Sequence, residues 1–83
     1  DKIWRIVIFD IPEKKKFARH ALREKLKEWN FFQLQKSVWV CPWPCEKEVE
    51  FIVELLGIAS YVNIVKAGEI QKDAYLREYF HLL

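Results

Sequence analysis

Two thiols, two imidazoles, a strand-terminal carboxylate and a row of cations are the residues of this 83-residue chain whose types and spacing admit chemistry. Cys41 and Cys45 flank Pro42-Trp43-Pro44. Together with His20 and His81 they could make four zinc ligands only by chance of fold. Structural zinc sites space their cysteines more tightly and in two pairs. The rigid Pro-Trp-Pro spacer does not obviously let the thiols bridge, so they are expected reduced, beside a turn. Nothing in the spacing sets a histidine next to a thiol, as Cys–His nucleophilic catalysis requires. Gly-rich phosphate loops, paired-carboxylate motifs and the H-E-x-x-H zinc pattern are absent from the sequence. No residue is therefore assigned a catalytic role from spacing.

Asp10 closes an apolar strand and precedes Ile11-Pro12-Glu13, so its carboxylate belongs at a sheet edge where strand hands over to helix. One carboxylate is a poor Mg²⁺ ligand set, since that ion usually takes one or two carboxylates plus waters or phosphates. In a symmetric dimer, Asp10 of both copies could flank the axis and make two. The competing reading is an Asx-type turn that satisfies the N–H groups after Ile11, and it is the favoured one on sequence alone.

Cations crowd one segment. Net charge is only +2, but residues 13–28 carry seven Lys or Arg against three Glu, whereas residues 44–60 carry four Glu against one Lys. On a helix at about 100° per residue, Lys16, His20, Arg23 and Lys27 fall within about 60° of one another, with Arg19 alongside. A row of this kind can neutralise phosphates, the main source of non-specific nucleic-acid affinity. A solvated helix face tempered by Glu24 and Glu28 explains it equally well. Trp39, Trp43, Tyr61 and Tyr75 could stack on bases, but they lack the regular strand spacing of RNA-recognition aromatics. Packing is the better account of them.

These residues need elements to carry them. Trp4-Arg5-Ile6-Val7-Ile8-Phe9 is rich in β-formers and bounded by Asp10-Ile11-Pro12, which predicts a strand over 4–9. A helix follows over 13–29, with Phe17, Ala18, Ala21, Leu22, Leu26 and Trp29 on one arc and Asn30 as a left-handed stop. Residues 31–35 and 37–41 predict two short strands, the second ended by Pro42. A helix over 46–56 ends at Gly57, a strand spans 61–67, and 72–80 reads as a short amphipathic helix, with a C-terminal strand in place of its end as the alternative. The order is β-α-β-β-α-β with a C-terminal extension. This predicts an α+β, ferredoxin-like sandwich: an antiparallel sheet with two helices on one face.

The rings bear on the sheet's other face. Four Trp, six Phe and three Tyr, in a chain 52% hydrophobic, exclude a disordered tail. A first strand apolar on both sides expects cover on both, and the commonest cover is a second copy related by a two-fold axis. Val7 and Phe9, or their alternates, with Trp39 are therefore expected between two copies. No apolar run approaches the roughly 20 residues of a membrane helix, and the start has no signal-peptide layout. The expectation is one cytoplasmic domain over 1–83 that does not engage a membrane. Asp1 at the start and the lack of any Met further suggest a fragment of a longer protein.

Two stretches together carry a resemblance. Trp4-Arg5-Ile6-Val7-Ile8-Phe9-Asp10-Ile11-Pro12-Glu13, leading to a basic helix with Arg19 and Arg23, is followed one helix later by Leu34-Gln35-Lys36-Ser37-Val38-Trp39-Val40. The pair resembles the Cas2 family of CRISPR adaptation proteins, and still more the related central domain of PaaX-type transcriptional repressors. Asn30 stands where a glycine is common in the former. The resemblance implies a ferredoxin-like fold and a homodimer packed through its sheets. On the PaaX side it implies a dimerisation domain that follows a DNA-reading winged helix and responds to aromatic-acid coenzyme A thioesters, without catalysis or cofactor. On the Cas2 side it implies an integration scaffold or Mg²⁺-dependent nuclease, with Asp10 at the metal and Lys16, Arg19, Arg23 and Lys27 on the nucleic acid. The leading expectation is the dimerisation domain of a PaaX-type regulator, with DNA a partner directly or through a part outside this chain. A stand-alone Cas2 protein is the alternative, and an interaction module without a nucleic-acid role is the third class.

Overall fold

A computed structural model of the chain describes residues 2–82. Strand β1 (Trp4–Phe9) leads through a 3-10 turn at Glu13–Lys15 into helix α1 (Lys16–Glu28). The hairpin β2 (Phe32–Gln35) and β3 (Val38–Cys41) precedes helix α2 (Glu46–Leu55). A second 3-10 turn at Ala59–Tyr61 enters strand β4 (Val62–Ala67), and helix α3 (Ala74–Tyr79) follows. The strands form one antiparallel sheet in the order β2-β3-β1-β4, the α+β arrangement expected of a ferredoxin-like sandwich. Among the described residues no helix is long and apolar enough to cross a membrane.

Local chemistry explains where the elements stop. Asn30 has φ 61° and Gly57 has φ 71°, the left-handed conformation that closes helices. The N–H groups of Phe31 and Ile58 then reach back to the carbonyls of Leu26 and Val53 at 3.0 and 2.9 Å. The first helix starts later than its periodicity predicts. Pro12 and Glu13–Lys15 take up a tighter 3-10 turn first, and Phe17, assigned to the apolar arc, is 80% exposed.

The two faces of the sheet hold different cores. Val7 and Phe9 of β1 with Trp39 and Cys41 of β3 lie beneath Leu22 and Leu26 of α1 and Val49 and Val53 of α2. This corrects the expected dimer interface. Val7, Phe9 and Trp39 are buried by the chain's own helices, at most 3% exposed, and a second copy cannot reach them through the sheet. The alternates Trp4, Ile6 and Ile8 point the other way, because side chains alternate along a strand. That face has cover of its own. Leu76 of α3 packs on Trp4 and Val40, with Phe32, Ile70 and Phe80 around them. Ring contacts pin the helix down: Phe80 lies 6.1 Å from Trp4 and 5.3 Å from Trp43, and Tyr79 lies 5.0 Å from Phe32.

Candidate functional site

The two ends of β1 carry different chemistry. At its C-terminal end Asp10 is exposed, and its backbone N–H donates to the Tyr61 carbonyl at 3.0 Å. It borders a shallow cleft of about 260 Å³ with Ile8, Phe9, Ser60, Tyr61 and Asn63. Asp10 is the sole carboxylate in that lining. Among the described residues no three His, Cys, Asp or Glu side chains converge on a common point. A hard divalent ion held by one carboxylate would rely on waters or phosphates for nearly all its ligands, so the residues of a single chain do not fit a resident Mg²⁺.

The basic stripe is α1's outer face, and much of its charge is already engaged. Arg19 donates to the Ile11 carbonyl and to Glu13 Oε1, both at 3.1 Å, and so clamps the turn after β1. Arg23 is half-buried with its guanidinium 6.0 Å from the Phe9 ring centroid, and its Nε is buried without a hydrogen-bond partner. Lys27 pairs with Glu24 at 3.2 Å. Lys16 is exposed, 5.6 Å from the Phe17 ring. Lys16, Arg19, Arg23 and Lys27 thus share one helix, with the two lysines facing solvent and the two arginines drawn toward the fold. Surface pairs such as Lys27–Glu24 contribute little stability and can exchange a carboxylate for a phosphate. Arg19 has less freedom, since moving it would uncap Ile11.

The opposite end of β1 holds a cluster that sequence reasoning did not assemble. Arg5 alternates with Val7 and Phe9, so it is a cation on the helix-covered face, only 4% exposed. Its strand neighbours are Cys41 on β3 and Lys66 on β4. Above it sits the start of α2. Glu46 accepts the Cys45 backbone N–H at 2.9 Å and pairs with Lys66 at 3.1 Å and Arg5 at 3.4 Å. Those backbone N–H groups at the helix start, then Lys66 and Arg5, hold the Glu46 carboxyl down at about 2, against an ordinary 4.5. Beside Glu46 the Sγ atoms of Cys41 and Cys45 lie 3.3 Å apart, both residues buried and unbridged. The Cys41 Sγ is also 3.3 Å from the Trp43 carbonyl. The Pro-Trp-Pro segment therefore brings the thiols into contact without a bridge, beside the turn as expected. His20 and His81 are both exposed, and neither forms a metal-type cluster with the thiols. The signal for this site was the charged residue on an otherwise apolar alternate of β1.

The uncovered surface lies between these ends, on the second face. Helix α3 shields Trp4 and Val40, but Ile8 and Val65 remain 40% and 41% exposed. Ile8 pairs with Val38 across the sheet, and Val65 with Ile6, so the two sit diagonally on adjacent strands. Tyr75 and Tyr79 of α3, also exposed, lie against Phe32 of β2.

No curated protein and no solved structure matches the chain. A family model does, over residues 1–77: the PaaX protein central Cas2-like domain. With its β-α-β-β-α-β order, its basic first helix and the Val38–Cys41 strand now placed in one sheet, the chain belongs to the PaaX central Cas2-like domain family.

Proposed function

We propose that this chain is the dimerisation domain of a PaaX-type transcriptional regulator of the cytoplasm, supporting DNA binding by a part of that regulator outside residues 1–83. The observation that carries the reading is the apolar strip of Ile8 and Val65, left bare beside a face otherwise closed by α3. Two copies meeting on this strip across a two-fold axis would cover it isologously, each patch against its own equivalent. The family description supports a regulatory setting. The engagement of Arg19 and Arg23 within the fold favours a structural role for α1 over one as the main DNA reader. Sedimentation tests the reading directly. The protein is expected to be a dimer at micromolar concentration and the Ile8→Asp/Val65→Asp variant a monomer. A monomeric wild type overturns it.

A second reading, a Cas2-type nuclease or integration scaffold, draws on one observation: Asp10 is exposed at the end of β1, next to the bare strip. A dimer axis there would supply the second carboxylate that one chain lacks, and Lys16 and Lys27 would face the nucleic acid. The regulator reading expects no Mg²⁺-dependent cleavage of RNA or DNA. Cleavage by the wild type that is lost in Asp10→Ala would replace it with the nuclease. Salt-sensitive DNA binding by the chain itself, abolished when Lys16, Arg23 and Lys27 are reversed to Glu, would assign the stripe to DNA.

A further inference from the structure

We propose that Cys41 and Cys45 form a reactive dithiol that closes to an intrachain disulfide at the expense of low-molecular-weight disulfides such as oxidised glutathione, with Cys45 as the attacking sulfur and Cys41 as the resolving one. The geometry carries this. The sulfurs are in contact at 3.3 Å, and a disulfide bond of about 2.0 Å would draw them together by roughly 1.3 Å. They sit on either side of a five-residue turn from the last residue of β3 to the residue that precedes α2, so closure asks for local adjustment and leaves the sheet in register.

Access separates the two. Cys41 is fully buried, whereas Cys45 lines an open cleft with Pro44, Glu46, Ile64 and Lys66. Their mutual hydrogen bond separates them in the same sense. The Cys41–Cys45 contact lowers the Cys45 thiol, against burial, Glu46 and Glu48 and with a smaller contribution from Arg5. The same shared proton and burial hold Cys41 far above the usual thiol range. The thiolate is the nucleophile in exchange. The Cys45 thiolate attacks one sulfur of oxidised glutathione, forming a mixed disulfide and releasing one glutathione thiolate. The Cys41 thiol then gives its proton to solvent, attacks the Cys45 sulfur and expels the second glutathione. Two protein thiols are oxidised and one glutathione disulfide is reduced to two thiols.

Natively folded protein incubated with oxidised glutathione, alkylated and weighed intact tests this. The expected product takes up no alkylating reagent, is two hydrogens lighter than the reduced protein, and gives a Cys41–Cys45 crosslinked peptide. Cys41→Ser is expected to stop at one glutathione adduct on Cys45, and Cys45→Ser to form adduct at least tenfold more slowly. The wild-type measurement needs no substitution, so a variant that misfolds leaves the test intact. Two alkyl groups on the treated wild type, a crosslink between chains, or equal rates for the two serine variants would overturn the proposal.

Discussion

The two faces of this sheet share four strands but are closed by different means. On one, thirteen-residue α1 and ten-residue α2 bury Val7, Phe9 and Trp39 under Leu22, Leu26, Val49 and Val53. On the other, a six-residue helix buries Trp4 and Val40 under a single leucine, Leu76, and a ring of aromatic contacts. The first closure is threaded through the fold, with each helix fixed at both ends by strands. The second is appended, held from one side and leaving Ile8 and Val65 bare. Apolar content alone does not decide what a face is for. The way its cover is tethered does.

The sharpest way to break this comparison is to truncate the same residue type on each side. Leu22→Ala, in the helix-covered core, is expected to cost about 2–5 kcal/mol of unfolding free energy in a urea titration. Leu76→Ala should cost less globally, no more than about 2 kcal/mol, because a terminal helix can open by itself. Its signature would be faster hydrogen exchange over 74–80 with β1 still protected. Equal global losses would show that α3 belongs to the same cooperative unit as the sheet.

Acid probes the tie beneath α2. The Glu46 carboxyl is depressed in the fold to about 2 from an ordinary 4.5. Its contribution is therefore complete above about pH 4.5 and is lost as pH falls toward 2. Glu46→Gln should lower stability at pH 6, and its gap to the wild type should narrow steadily as the two are titrated down to pH 2. A gap that stays constant over that range would detach Glu46 from Lys66 and the helix start. The smallest effect is expected on the outer side of α1. Phe17→Ser, at an 80% exposed position, should change unfolding free energy by no more than about 0.5 kcal/mol.

What was legible in the sequence followed from local rules. The six-residue first strand, Asn30 as a left-handed stop, Gly57 as a helix end, and the helical tail all rest on propensity and period, and all recur in the fold. Which side of β1 the helices would take was not legible, because Val7 and Phe9 on one side and Trp4, Ile6 and Ile8 on the other are equally apolar. Arg5 is the one asymmetry between the two sides, and its buried place is explained by Glu46, which packs from α2 and also pairs with Lys66. Likewise Cys41 and Cys45 are joined by a turn whose path depends on where α2 docks, a long-range matter that spacing does not encode. Asp10 and the stripe from Lys16 to Lys27 were locatable, but their partners Ile11, Glu13 and Phe9 came only with the packing.

The position of β1 sets a timetable. The first strand is an inner one, and its second neighbour, β4, is the last made of the sheet's four strands: Arg5 pairs with Lys66 and Phe9 with Val62. At about 5–20 residues per second of synthesis, Trp4–Phe9 leaves the ribosome roughly three to twelve seconds before the strand that finishes its ladder. Throughout that interval a two-sided apolar β-segment has an open edge, the kind of template that pairs with neighbouring chains. Nascent chains of this protein should accordingly depend on holding chaperones, and its aggregation in translation extracts should fall as elongation between residues 10 and 62 is made faster.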